Sequence, residues 1–412
     1  MIVGKTGSVR RRRILFMAEA VTLAHVTRPL VLARALPADG YEIHFACSQK
    51  YEGFLRDTTF TQWPLHSISP DQFLESLAKG EPLYDRPTLE SYVEEDVRLM
   101  NAVMPDMVVG DFRLSLAVSA AHCKVPYVSI VNAHWSPYAS LRRFPLPEIP
   151  LAGVLGVPIA RTLFHILQPL IFALHARPLN LVRRSYGLPP LGDLRHVYTH
   201  GDFTLCTDIP KLVPTANLPP NHHYIGPVIW SPEIELPAWW ANLPQDRPCV
   251  YVTLGSSGQV SLLPDVISAL SGLPIIVLVA TAGRLNLNSI PSNVMVADYL
   301  PGAEAARRSA LVVCSGGSAT AYQALAEGVP VLGLASNMDQ HLTMSAIERC
   351  GAGILMRAGL AKEHSIRRNA ERLLGNEGSR AAARSLAQGF ADYDAPTKFC
   401  TFLEKQMGVL MP

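Results

Sequence analysis

The sequence predicts an α/β protein of two Rossmann-like domains, each on a parallel sheet, facing one another across a cleft. Three observations carry this. A chain of 412 residues exceeds what one hydrophobic core serves, so two domains of about 200 residues each are expected. Short apolar runs alternate with helical patterns, as in a parallel sheet covered on both faces. The alternation breaks once, over residues 226–247, where prolines crowd around the paired Trp239 and Trp240.

In the first half, apolar runs at 13–18, 42–46, 105–111 and 125–131 read as strands. A helical pattern through Val26, Leu30 and Ala33 follows the first, with Pro29 expected in its first turn. In the second half, strands are expected at 249–254, 274–280, 294–297, 310–314 and 329–334. The division is then 1–225, a linker at 226–247, 248–390, and a closing helix at 391–412 that can cross back to the first domain. A ligand cleft belongs between the halves, at the carboxyl ends of the strands.

Composition narrows the function. Charged residues are 17%, hydrophobic ones 49%, and mean hydropathy is +0.17, the balance of a globular chain. A net charge of +2 is too near neutral for a nucleic-acid binder. The basic run at 10–13 reads as a solvated arm before the first strand, with contact to anionic lipid as its alternative. Seven cysteines, odd in number and without a C-x-x-C pair, point to reduced thiols in a cytoplasmic compartment, not a disulfide framework or zinc site. The N-terminus has no secretory apolar core. The greasiest stretch, 151–176, is interrupted by Pro158, Arg161, His165 and Pro169. That makes a poor membrane span; it is expected as a helix lining an apolar cleft, with peripheral membrane contact as the second reading.

The segment Cys314-Ser-Gly-Gly-Ser-Ala-Thr-Ala-Tyr-Gln-Ala-Leu-Ala-Glu-Gly-Val-Pro330 carries the most chemistry. A valine-rich strand ends at Cys314, and Gly316 and Gly317 permit a tight turn with uncovered N–H groups. An alanine-rich helix then runs from about Ser318 to a stop at Gly328. Uncovered amides at a positive helix end suit a diphosphate, and Ser318 and Thr320 add hydroxyls. After the next strand, Asp339 and Gln340 place a carboxylate beside a carboxamide, a pair able to grip vicinal sugar hydroxyls.

This stretch resembles the signature of family 1 inverting glycosyltransferases of the GT-B fold, the group of plant UDP-sugar and bacterial macrolide enzymes. The resemblance puts Gly317 and Thr320 on the phosphate-binding positions, Gln323 on the ribose-holding residue, and Asp339 and Gln340 on the sugar-binding pair. Ser315 stands where the family has histidine and Gln323 where it has glutamate, so a charge near the diphosphate is lost. Ser256, in Thr253-Leu-Gly-Ser-Ser257, falls on the family's Gly-Ser turn facing the phosphate.

In the first half, His25 opens a helix after the first strand. Alone, such a histidine is most often a cap or surface residue. Its surroundings, Ala24-His-Val-Thr-Arg-Pro-Leu-Val-Leu-Ala33, resemble the family pattern whose histidine is the catalytic base, and Asp111 falls on the carboxylate that orients it. Asp106 is the nearer alternative in sequence. A carboxylate on the far ring nitrogen fixes the tautomer and stabilises the imidazolium. His134 and Trp135 lie just past a strand end, where they are expected as acceptor contacts or as a buried aromatic corner.

The function implied is transfer of a hexose-type sugar from a UDP- or dTDP-sugar to a hydroxyl of a hydrophobic natural product, lipid or carotenoid-like aglycone. No D-x-D pair stands at a strand end, so no metal is expected. Gly4-Lys-Thr lacks the upstream glycine of a P-loop, and no G-x-G-x-x-G follows the first strand. A sugar epimerase of the same fold and a non-catalytic nucleotide-sugar-binding relative remain as alternatives.

Overall fold

The computed structural model describes residues 10–409, apart from 142, 256–257 and 285–289. Seven parallel strands form the first sheet: β1 Arg12–Ala18, β2 Tyr41–Cys47, β3 Thr61–Pro64, β4 Met107–Asp111, β5 Tyr127–Val131, β6 Phe203–Cys206 and β7 His222–Tyr224, in the order β3-β2-β1-β4-β5-β6-β7. Six form the second: β8 Cys249–Thr253, β9 Ile276–Ala280, β10 Val294–Ala297, β11 Ser309–Cys314, β12 Val331–Ala335 and β13 Gly353–Arg357, ordered β10-β9-β8-β11-β12-β13. The central strands β4, β5, β8, β9 and β12 are buried throughout, as their continuous Val/Ile/Leu runs require.

Each sheet reverses its strand order once, between β1 and β4 in the first and between β8 and β11 in the second. A crevice opens at the carboxyl ends of such a strand pair. Register puts Ala18 beside Asp111 and Thr253 beside Cys314. The loops after these four strand ends therefore meet across the cleft.

Four strands were not expected from the pattern. β3 and β7 are short, polar sheet edges, β13 is an edge strand whose apolar run is only the three residues 354–356, and β6 has only four residues. The strand expected from residue 329 starts pairing at Val331, because Pro330 has no N–H to donate. Pro29 is also displaced from expectation. It is the sixth residue of the helix Ala24–Arg34, inside it, and cannot donate to the His25 carbonyl.

The 151–176 stretch becomes the short helix Pro150–Leu155 and the helix Val157–Ser185. The latter buries Phe164, Phe172, Ala176, Leu179 and Val182. Its opposite face is exposed instead of lining a cleft, because a helix 29 residues long presents only one stripe to a single domain.

Below the cleft the halves share one core, in which Val131, Cys206, Ile209 and Leu212 pack with Tyr322, Leu325, Ala383 and Phe390. Polar ties flank it: Arg349 Nη2 donates to the Leu212 carbonyl at 2.8 Å and Arg357 Nη1 to that of Leu146 at 2.7 Å. The last helix, Ala395–Val409, places Phe399, Leu403 and Met407 in the first domain's core, with the Phe399 ring 6.0 Å from that of Phe16.

Candidate active site

Asp111, the last residue of β4, is fully buried at the first sheet's reversal point. The helix Ala24–Arg34 leaves β1 beside it and aims two side chains at its carboxylate. His25 Nδ1 lies 2.7 Å from Oδ1. Arg28, one turn on, forks onto the same group, Nε donating to Oδ2 at 2.8 Å and Nη2 to Oδ1 at 2.7 Å. Burial alone would lower the Arg28 pKa, but the Asp111 charge and hydrogen bonds raise it above the usual value, so the guanidinium stays charged.

Phe112 stacks on the His25 ring at 4.7 Å and 15°, and takes φ +59° to do so. That left-handed conformation costs a non-glycine residue about 1–2 kcal/mol. With Nδ1 held by Asp111, Nε2 is the nitrogen left for a substrate, and no described residue bonds it. The ring is 17% exposed, open enough to be reached. Arg28 was missed in the sequence; its signal was the i,i+3 spacing from His25, which puts both on one helix face.

Across the cleft, the turn after β11 leads into the helix Ser318–Ala326. Gly317 is its N-cap, and no side chain caps the first turn, so those amides stay open to a ligand. The two glycines do different work. Gly316 sits at φ +83°, and a Cβ there would meet Met344 Cγ at 2.5 Å. Gly317 has φ −67° and open space where a Cβ would stand. Gly316→Ala is therefore expected to lose about 2 kcal/mol or more of stability in a denaturant melt. Gly317→Ala should melt like wild type and raise only the donor KM.

The remaining donor residues assigned from the sequence divide. Thr320 is half-buried on the helix's first turn, while Ser315 is only 6% exposed and packs against Gly258. The Gln323 amide donates to the Trp230 carbonyl, so its carboxamide ties the helix to the linker. Ser256 lies outside the described residues. Two further residues of this domain went unassigned. Arg284 Nη1 donates to the Gly255 carbonyl at 3.3 Å, and Tyr299, 58% exposed after β10, offers an open aromatic ring.

Asp339 stands in the first turn of the helix Met338–Arg349. His134 Nε2 lies 2.9 Å from its Oδ1, and Trp135 Nε1 donates to the same oxygen at 2.9 Å. These residues, assigned to the acceptor in the sequence, are thus turned onto a carboxylate of the opposite domain. His134 is 1% exposed, closed to an acceptor. Gln340 is also buried, and its Oε1 accepts from Ser336 N at 2.9 Å and Ser336 Oγ at 3.0 Å, completing a capping box with Asn337.

Partial burial tends to raise the Asp339 pKa, but the hydrogen bonds from His134 and Trp135 and the His134 charge bring it down to about 2. A depressed carboxyl pKa stabilises above the unfolded value and loses that contribution as pH falls through the folded one. The melting-temperature advantage of wild type over Asp339→Asn should therefore hold above the ordinary value of 3.8 and vanish as pH approaches about 2.

Asn132 joins the two sides. Its Oδ1 accepts from Arg28 Nη1 at 2.8 Å and from Ser318 Oγ, at the start of the donor-side helix, at 3.4 Å. Asp208 adds a second tie, accepting from the Ala133 N–H at 2.5 Å and from the Tyr322 hydroxyl of that helix.

Comparison with known proteins bears on family and fold. Residues 261–405 match the Erythromycin biosynthesis protein CIII-like, C-terminal domain family. A PGL/p-HBAD biosynthesis glycosyltransferase of Mycobacterium tuberculosis is 51% identical over 382 residues, covering 92% of this chain and 89% of that protein. A PGL/p-HBAD biosynthesis rhamnosyltransferase of Mycobacterium bovis is 50% identical over 384 residues, covering 93% and 85%. Among solved structures, the spinosyn rhamnosyltransferase SpnG superposes with a TM-score of 0.70 at 20% identity, over 95% of this chain and 100% of that one. The likeness to SpnG is one of fold, the two facing sheets of GT-B.

Proposed function

Because the chain belongs to the glycosyltransferase family that includes the mycobacterial PGL/p-HBAD biosynthesis enzymes, we propose that it moves a hexose-type sugar, with inversion, from a UDP- or dTDP-sugar to a hydroxyl of a hydrophobic acceptor. The names of its relatives support rhamnose or a similar sugar and a phenolic glycolipid acceptor. The thymidine diphosphate complex of SpnG favours dTDP over UDP.

The observation that carries the reading is the Asn132 bridge. It sets the His25–Asp111–Arg28 cluster and an uncapped helix start two hydrogen bonds apart, on opposite walls of one cleft. His25 Nε2 takes the acceptor proton as the acceptor oxygen attacks the anomeric carbon. Asp111 holds the ring and stabilises the imidazolium. The departing diphosphate gathers charge against the amides after Gly317, where the helix dipole favours an anion. Asp339 keeps Oδ2 for a sugar hydroxyl while His134 and Trp135 hold Oδ1.

That helix start supplies the countercharge a metal would bring, so we propose catalysis without metal. All seven cysteines are free thiols, which supports a reducing, cytoplasmic setting.

The test is a screen of UDP- and dTDP-sugars against apolar phenols and alcohols, read as nucleotide release, with and without chelator. Release that requires acceptor and ignores chelator supports the reading. Tight binding of a nucleotide sugar with no release for any acceptor would replace it with a binding-protein role.

A further inference from the structure

The helix Val157–Ser185 buries one face and leaves the other bare. Only 17% of its most apolar 18-residue window is covered. Ile159 is 62% exposed, Ile166 70%, Leu170 58% and Leu174 48%. At 100° per residue these four share one stripe, and Arg177 and Arg184, both exposed, fall on its continuation. Over residues 149–192 the chain has no aspartate or glutamate. A soluble surface seldom carries an apolar stripe of this length without a partner.

We propose that this stripe seats the protein on an anionic lipid surface, the helix lying in the interfacial plane. The apolar side chains enter the acyl boundary and the arginines meet lipid phosphates. Spanning is excluded by the buried face, which is fixed to the domain through Phe164, Phe172, Leu179 and Val182. A second copy is a poor occupant, since it brings the same arginines and no carboxylate from this segment.

The location gives the surface a purpose. The same helix's inner face shares a cluster with Trp135 and Met338, the residues on either side of the Asp339 contact. A membrane-borne acceptor would thus be presented one helix thickness from the cleft. This last step rests on the proposed hydrophobic acceptor; the lipid contact does not.

The test is co-sedimentation of the full chain with vesicles of phosphatidylcholine alone and of phosphatidylcholine with phosphatidylglycerol. The protein should pellet with the anionic vesicles and much less with the neutral ones. Arg177→Glu/Arg184→Glu should weaken anionic partitioning on the order of 30-fold or more. Ile166→Asp/Leu170→Asp should abolish it while keeping the wild-type melting temperature and turnover of a short water-soluble acceptor.

Equal pelleting with both vesicle types, no pelleting, or pelleting unchanged in either variant would overturn the proposal. So would a concentration-dependent dimer that Ile166→Asp/Leu170→Asp dissolves, because the stripe would then belong to a second copy. A chain that pellets as expected yet transfers no sugar upholds the surface and refutes the acceptor reading.

Discussion

His25→Ala is expected to lower kcat by about a hundred- to ten-thousand-fold with little change in donor KM, the loss a positioned general base accounts for. Nε2 of His25 has no partner among the described residues, while Nδ1 is 2.7 Å from Asp111. Removal of the ring deletes proton transfer and leaves the helix start at Gly317 untouched. Asp111→Asn should approach the same loss, since an amide oxygen orients the ring but stabilises its cation poorly. The measurement is nucleotide release at saturating donor and acceptor, split into kcat and KM. If His25→Ala raises KM alone, the histidine binds substrate and is not the base.

Arg28→Met is expected to produce the largest loss of stability. Asp111 is fully buried, and its two oxygens take both arms of the Arg28 fork. Removal of the cation strands a carboxylate in the core, which costs about 3–5 kcal/mol. For a domain of this size that lowers Tm by roughly 10 °C. Arg28→Lys should fall between, keeping charge but losing the bidentate geometry and the reach to Asn132. A melt of Arg28→Met that matches wild type would show that Asp111 is held by something other than this fork.

How much was legible follows from which signals are local. The strands β1, β4, β5, β8, β9 and β11 announce themselves as apolar runs, because both faces of a central parallel strand are covered. Edge strands β3 and β7 are polar and leave no comparable run, and that of edge strand β13 is only the three residues 354–356. The glycine turn at 316–317 could be read from a short pattern at a strand end, whereas the pairing of His25 with Asp111 came from the resemblance to the family's pattern around those two residues.

The roles of His134, Trp135 and Gln340 could not be read the same way. His134 and Trp135 reach Asp339 across more than 200 residues of sequence, a distance no periodicity spans. Gln340 looked like a sugar ligand, but its position as third residue of the helix is also that of a capping box, and that geometry claims its Oε1. Arg28 sat inside the quoted pattern around His25 yet received no role from the sequence. Its spacing from His25 puts it on the same helix face, and the full burial of Asp111 is what gives that placement its weight.

Direct displacement needs a base on one wall of the cleft and the leaving diphosphate on the other. The anomeric configuration of the product tests it most directly, read from the one-bond carbon–hydrogen coupling at the new glycosidic carbon. The arrangement of His25 opposite the helix start at Gly317 predicts a product inverted relative to its donor. A product that retains the donor's configuration would contradict it.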